Sequence, residues 1–221
     1  MLSYINSCLP PMKQVQLIHS TPNGDNLISY MARVSNPANQ SNTETSGKLI
    51  SYLIKHKHWS PFEMVNMCVE ISTTRSIAAQ ILRHRSFSFQ EFSQRYAQVV
   101  DNPVIPDLRR QDTKNRQNSI DDLDDYTKQD LQLKAQYVFD QAMMLYDEMI
   151  SAGVAKECAR DVLPLSTPTK MYMNGSLRSW IHYCDLRCGN GTQLEHKIIA
   201  DQCKELIIQQ FPLVSEALGY V

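Results

Sequence analysis

The period of the hydrophobic pattern changes repeatedly along this 221-residue chain, and this limits the folds it can adopt. Segments in which apolar and polar residues alternate, as in half-buried strands, follow segments with the three-to-four-residue spacing of amphipathic helices. The clearest case is residues 63–72 (EMVNMCVEIS), an alternating segment followed by helical spacing over 77–82. We therefore expect an α/β fold, with one helix-rich domain over residues 1–221 and a central mixed β-sheet.

The same patterns predict the remaining elements. Further strands are expected at residues 14–20, 96–100 and 169–174. Helices are expected at residues 25–34, 121–150, 154–162 and 176–188. Another should run from a capping-box spacing at 41–44 to near residue 58, and another from Thr73 or Thr74 to residue 83. A last helical region should begin at a second capping-box spacing, at 192–195. The Ser/Phe-rich residues 86–93 and the polar residues 101–119 are expected to be loops.

Composition restricts the partners and the compartment. Lys and Arg total 22 against 23 Asp and Glu, so overall charge provides no attraction to nucleic acid or to an anionic membrane. Any anion site must therefore be local. The six cysteines form no C-x-x-C pair, which favours a reduced, intracellular, cytoplasmic protein. The N-terminus is too short and polar for a signal peptide, and no apolar run reaches membrane-spanning length.

A cluster of basic and polar residues follows the predicted helix that ends near residue 83. Arg83, His84 and Arg85 are separated from Ser93 by seven intervening residues, and Arg95 comes shortly after. Guanidinium groups present paired donors that suit phosphates and carboxylates, so this segment could hold a nucleotide. Composition alone fits a solvated loop at least as well, because the helix dipole favours arginine at a helix C-terminus.

The order of these residues resembles the flavin-dependent thymidylate synthases, whose signature is Arg-His-Arg, seven residues, then Ser. Four other blocks resemble the family in the same order: ARVSNP (32–37), KHKHWSPFE (55–63), KECARDVLPLS (156–166) and RSWIHYCDLR (178–187). Together the blocks span roughly residues 32–190, and such a series in register is far more specific than one short motif.

The resemblance implies a reaction, cofactors and an assembly. The reaction is the reductive methylation of dUMP to dTMP, with 5,10-methylenetetrahydrofolate as one-carbon donor and NADPH-reduced FAD as the hydride source. Family members are homotetramers whose active sites combine several subunits, so we expect the isolated monomer to be inactive. Neither a nucleic acid nor a membrane is an expected partner.

The resemblance also implies which residues bind each ligand. The expected FAD contacts are Ser60, Arg83, His84, Arg85, Glu91, Arg178 and His182. The expected dUMP contacts are Gln80, Arg83, Glu91, Ser93, Gln94, Arg95, Arg160 and Arg187. Further candidates are His58, Gln90 and Ser176. The chain departs from the family's usual Thr or Asn at Ser60, Gln90, Ser176 and His182, but each of these side chains still forms hydrogen bonds.

Arg187 is the expected catalytic residue. Its guanidinium would stabilise negative charge that develops on the uracil ring and would help C5 act as a nucleophile. A structural cation at the end of a helix is the alternative for this residue. Ser93 is expected to bind rather than attack, because no neighbouring residue is an evident activating base.

The sequence is also compatible with two rival functions. Arginines interleaved with Phe87, Phe89, Phe92 and Tyr96 could bind nucleic acid, but the net charge is near zero and the basic stretch is short. A nucleotide-binding enzyme without flavin, such as a phosphatase, would be expected to show a metal-ligand cluster. The acidic residues 121–125 are interpreted as a solvated helix start, and no metal site is predicted.

Overall fold

The computed structural model describes residues 14–221. Cys8 and the segment in which no signal peptide is predicted lie outside the described residues. The strands are β1 (Val15–Ser20), β2 (Asn66–Thr74), β3 (Ser88–Glu91), β4 (Arg110–Gln111), β5 (Ser119–Ile120) and β6 (Pro168–Ser176). The helices are α1 (Gly24–Ala32), α2 (Ser46–Lys55), α3 (Arg75–Ile81), α4 (Asp125–Ser151), α5 (Lys156–Ala159), α6 (Leu177–Arg187), α7 (Leu194–Gln210) and α8 (Pro212–Leu218).

The helix-rich α/β architecture is confirmed, but the main sheet is antiparallel rather than mixed. Its four strands lie in the order β1-β2-β6-β3, and every adjacent pair is antiparallel. The β2–α3–β3 segment does contain two strands that run the same way. Strand β6 inserts between them, antiparallel to both, so the parallel pair suggested by the strand–helix alternation is split.

The core forms between the main sheet and two helices: α6 packs against β2 and β6, and α7 packs against α6 and β1. Met67, Val69 and Ile71 alternate along β2 with less buried residues and are fully buried, as a strand with one covered face requires. Trp180 of α6 is also fully buried, and its indole Nε1 donates to the carbonyl of Met67 at 2.9 Å. These contacts fix the start of α6 against the sheet and so determine where its C-terminal residues lie.

One predicted loop and one predicted strand were wrong. Residues 88–91 form β3 instead of a loop, because they pair with β6 while Phe89 packs against the core. Residues 96–100 do not form the expected strand. There the backbone N–H of the buried Val99 donates a hydrogen bond at 3.0 Å to the Tyr146 hydroxyl on α4. The expected 101–119 loop contributes the short β4–β5 pair.

The helix starts also differ from the sequence patterns. Neither α2 nor α7 has a side-chain cap, although capping-box spacings precede both. Asp124 and Ser176 do cap: each side chain accepts from the backbone N–H three residues later, at the starts of α4 and α6. No helix within residues 14–221 combines the length and apolar character needed to cross a membrane.

Candidate active site

The Arg-His-Arg residues form a bend between α3 and β3. Backbone hydrogen bonds from His84 to Ile81 and from Phe87 to His84 turn the chain directly after the helix. The Phe87 ring anchors the bend against Gly175 of β6, where a Cβ atom would lie 2.5 Å from that ring. Arg83 and Arg85 are therefore left on the outside, and neither forms an ion pair or side-chain hydrogen bond with another residue in 14–221.

Arg187 contacts the middle residue of the bend. It lies in the last turn of α6, and its Nε donates to Nε2 of His84 at 3.0 Å across 103 residues of sequence. Burial, followed by the nearby Arg187 charge, lowers the pKa of His84 to about 4, so the imidazole is neutral and can accept this bond. The remaining guanidinium nitrogens of Arg187 are free of this contact and available to a ligand.

Gln80 lies one turn before the bend and is held at both ends of its amide. Its Oε1 lies 3.3 Å from Nδ1 of the buried His196, and its Nε2 donates to Oε1 of Gln193 at 2.7 Å. His196 also contacts the Tyr183 hydroxyl. We call Gln80, His84, Arg187 and His196 the α3–α7 cluster. His196 and Gln193 were missed in the sequence, which carries no signal for them.

A cleft of about 430 Å³ lies beside the start of α6 and contains two of the expected FAD residues, Arg178 and His182. We call it the Trp59 cleft; its other lining residues are Trp59, Glu63, Ser86, Ser179, Ile181 and Asp185. Arg178 donates to Oε1 of Glu63 at 2.7 Å. The pKa of Glu63 lies below its usual value, mainly because Ser176 donates a hydrogen bond to it and secondly because of the Arg178 hydrogen bond and charge. Glu63 was not assigned a role, although it ends one of the family-like blocks.

A second cavity, of about 230 Å³, contains Arg160 and Gln94 together with Arg75. We call it the Arg160 cavity. Arg75 donates to Oε1 of Gln94 at 2.9 Å. Gln94 is only 4% exposed, and its Nε2 has no hydrogen-bond partner among the described residues. Two guanidinium groups and an unpaired amide donor are suited to a phosphate.

Arg75 was missed, but its position carries a sequence signal. It is the first residue of α3, where the helix dipole disfavours a cation. An arginine there therefore indicates a negative partner that the local sequence does not supply. Arg75 and Gln80 lie about 7–8 Å apart along the helix axis, so α3 connects the Arg160 cavity to the α3–α7 cluster.

Comparisons with known proteins bear on this arrangement. A family model described as "Thymidylate synthase complementing protein" matches residues 16–213. A probable flavin-dependent thymidylate synthase of Paramecium bursaria Chlorella virus 1 is 50% identical over 205 residues, which cover 93% of this chain and 95% of the relative. The flavin-dependent thymidylate synthase of Synechocystis is 51% identical over 89% of this chain and 90% of its own length.

The chain belongs to the flavin-dependent thymidylate synthase family. Among solved structures, a UMP/dUMP methylase, PolB from Streptomyces cacaoi, crystallised with 5-Br dUMP, is similar in fold. Its TM-score is 0.83 at 27% identity, with 93% of this chain and 94% of that chain covered. The resemblance seen in the sequence is thus confirmed at the level of the family and its fold.

The remaining residues expected from the family lie outside these groups. Ser60, Gln90, Ser93 and His58 are exposed, and the His58 ring lies 6.1 Å from the Tyr52 ring. Glu91 accepts from the Thr169 hydroxyl at 3.0 Å. Arg95 forms an exposed ion pair at 3.0 Å with Glu157. Their roles in ligand binding stay predictions. No group of three or more His, Cys, Asp or Glu within residues 14–221 is arranged to hold a metal ion.

Proposed function

We propose that this protein methylates dUMP to dTMP, with FAD as cofactor, 5,10-methylenetetrahydrofolate as one-carbon donor and NADPH as reductant. Membership of the flavin-dependent thymidylate synthase family supports the reaction, and the similarity to a methylase bound to 5-Br dUMP supports the substrate. The observation that carries the proposal is the Arg187–His84 contact at 3.0 Å. It joins the family signature to the residue expected to face the uracil.

For dUMP, the chain offers one region for each end of the molecule. The Arg160 cavity provides guanidinium groups and the unpaired Gln94 amide for the phosphate. The α3–α7 cluster provides Gln80 and Arg187 for the polar edge and the developing charge of the ring. Neutral His84 accepts from Arg187 and thereby orients the guanidinium without adding a second positive charge.

For FAD, the donor set of the Trp59 cleft and the bend fits a flavin nucleotide. Trp59 and His182 offer planar rings, while Arg178 offers a guanidinium group. Arg83 and Arg85, which have no side-chain partner within residues 14–221, would hold the pyrophosphate, because arginine forks match its oxygens. When bound, the flavin supplies the hydride that completes the methyl group. The protein's own contribution is to bind and orient the two nucleotides beside each other.

Self-association as a homotetramer belongs to the same proposal. Helix α4 is 27 residues long, yet Tyr146 is its only buried residue. Its exposed apolar side chains include Tyr126, Leu133, Tyr137 and Val138. A surface of this kind is typical of a contact with another chain. A single domain over residues 1–221 and a cytoplasmic location stay predictions.

The proposal is tested with the purified, full-length protein. It is expected to be yellow, and its flavin absorbance should bleach when NADPH is added under anaerobic conditions. With dUMP and 5,10-methylenetetrahydrofolate present, it should form dTMP. The Arg187→Ala variant is the matched control: it should retain FAD but form no dTMP. A colourless protein that takes up no flavin and retards oligonucleotides would instead favour nucleic-acid binding.

A further inference from the structure

A chain of hydrogen bonds leads from the core to Gln80. It begins at Tyr183 and His196, whose side chains are both 0% exposed. The Tyr183 hydroxyl lies 3.1 Å from Nε2 of His196, and Nδ1 of His196 lies 3.3 Å from Oε1 of Gln80. A buried histidine that contacts a residue expected to bind substrate has no part in the function proposed so far.

The chemistry of these groups sets the direction of each bond. The amide oxygen of Gln80 can only accept, so Nδ1 of His196 must carry the proton and donate. Nε2 then holds a lone pair and accepts from the Tyr183 hydroxyl. Burial, followed by the Arg187 charge, lowers the pKa of His196 to about 4, so the ring is neutral and one tautomer satisfies both contacts. Burial also raises the pKa of Tyr183, which keeps its hydroxyl protonated as a donor.

The amide nitrogen of Gln80 also forms a hydrogen bond, and this bond favours the same orientation of the amide. Its Nε2 donates to Oε1 of Gln193 at 2.7 Å, and Nε2 of Gln193 donates to Glu195 at 2.9 Å. Glu195 accepts from Arg109 at 2.7 Å through its other oxygen. If the Gln80 amide rotated by half a turn, its N–H would face the N–H of His196, and its oxygen would face the amide oxygen of Gln193. Both contacts would be lost.

We propose that His196 is a positioning residue that fixes the orientation of the Gln80 amide and thereby selects uracil over cytosine in the bound nucleotide. This inference rests on the proposed function, in which Gln80 contacts the pyrimidine ring. After its two internal bonds, Gln80 keeps one N–H and one oxygen lone pair for a ligand. Uracil presents a ring N–H between carbonyl oxygens, whereas cytosine replaces that N–H with an acceptor and one carbonyl with an amino donor.

A fixed amide can therefore pair with uracil but leaves a mismatched contact with cytosine. A freely rotating amide would pair with either base, because rotation exchanges its donor and acceptor. A site built to form specific hydrogen bonds rejects a ligand that leaves its polar groups unpaired. His196 does not touch the nucleotide in this proposal; it acts through Gln80.

The test is the ratio of the dissociation constants of dUMP and dCMP, measured by calorimetry on the FAD-loaded protein. His196→Leu replaces the imidazole with an apolar side chain of similar reach and removes both hydrogen bonds, so the preference for dUMP should fall by about tenfold. In His196→Asn, the amide nitrogen can take the place of Nδ1 and donate to Gln80, so the wild-type ratio should be largely restored. Ile199→Ala, one turn further along α7, is the packing control and should weaken both ligands equally or neither.

Tyr183→Phe provides a second variant that preserves the ring packing. It removes only the hydroxyl that sets the His196 tautomer, and a fall of about threefold in the ratio is expected. If the ratio is unchanged in both His196→Leu and Tyr183→Phe, or if His196→Asn behaves like His196→Leu, the proposal is overturned. A wild-type protein that neither binds dUMP nor forms dTMP would refute the proposed function itself.

Discussion

Two turns of this protein carry arginine side chains and use them in opposite ways. After α1, Arg33 is only 8% exposed; it donates to the carbonyl of Asn42 and, at 2.8 Å, to the Thr45 hydroxyl. After α3, Arg83 and Arg85 are exposed and form no side-chain bond with the rest of residues 14–221. The first turn uses its guanidinium to hold backbone and side chain together, whereas the second leaves its guanidinium groups available.

The difference shows that residue type alone does not reveal a binding residue. A buried guanidinium must find acceptors within the protein, because an unpaired buried charge is very costly. An exposed guanidinium has no such requirement, and it becomes informative only where cavities and other unpaired donors lie nearby. The Arg83 bend meets this condition because it adjoins the Trp59 cleft and the α3–α7 cluster.

Among variants of the two turns, Arg83→Ala should have the largest effect. Because Arg83 is assigned to both FAD and dUMP, its loss should reduce dTMP formation by about 10³-fold, the upper end for one charge-stabilising donor. The free energy of unfolding should change by less than about 0.5 kcal/mol, since no internal bond is removed. Steady-state kinetics and urea unfolding measure the two quantities. Arg116→Ala, at an exposed arginine of the 101–119 loop, is the control and should change neither.

Arg33→Ala should produce the reverse pattern. Loss of two charge-assisted bonds should lower the free energy of unfolding by about 2–3 kcal/mol. The folded fraction should retain its kcat, because Arg33 contacts no expected ligand residue. The free energy of unfolding of Arg33→Lys should lie between those of the wild type and Arg33→Ala, since an ammonium keeps the charge but not the paired donors of the guanidinium. Lost activity in a fully stable Arg33→Ala protein would erase the contrast between the turns.

Acid should weaken the region beneath the Arg83 bend before the Arg33 turn. His84 and His196 have folded pKa values of about 4, below the unfolded value of about 6.5, so their contribution to stability is complete above pH 6.5. It is lost as the pH falls from 6.5 towards 4, by up to about 1.4 kcal/mol per pH unit for each histidine. The Arg33 contacts involve neutral acceptors that do not titrate in this range.

Urea unfolding between pH 7.5 and 5 measures this loss, and hydrogen exchange locates it. His196→Asn is the control, since it removes one titrating group and should reduce the pH slope by about one proton. Amides at the start of α7 should lose protection before those between α1 and α2. Equal slopes for wild type and His196→Asn would show that His196 is not responsible.

The smallest effect is expected at Arg95, which is paired but exposed. Its partner Glu157 is on α5, and the two side chains are 67% and 54% exposed. Glu157→Gln should therefore change the free energy of unfolding by less than about 1 kcal/mol. It should also release Arg95 for the dUMP phosphate and lower the KM for dUMP by about twofold or less, as enzyme kinetics would detect. A large rise in KM would mean that Glu157, rather than Arg95 alone, supports the substrate.

Much of the fold could be predicted because its local patterns are strong. Buried residues alternate along β2 and β6, and Leu177, Trp180, Ile181 and Cys184 are buried at helical spacing along α6. The four-residue β3 could not be predicted, because too few residues show its period and its partner β6 comes much later in the chain. The prediction of a mixed sheet was wrong for a related reason: two strands that are consecutive in the sequence give no local sign that a distant strand will lie between them.

The site residues that belong to the Arg-His-Arg signature could be predicted from their order in the sequence. The contacts between these residues and other parts of the site could not be predicted. Arg75, Glu63 and His196 acquire their neighbours from other elements, and none has an unusual sequence context except Arg75 at a helix start. The resemblance predicts a role for Arg187, but the bond between Arg187 and His84 depends on the packing of α6 against the sheet.

The amino-acid sequence by itself determined the helix-rich character, most of the elements and the family, because these depend on local periodicity and on the order of short motifs. Only the tertiary structure decided that β6 separates β2 from β3, that Arg33 is bonded internally while Arg83 has no side-chain partner among residues 14–221, and that a buried histidine contacts Gln80. These features depend on which distant side chains meet once apolar surface is buried, and that information is shared across the whole chain.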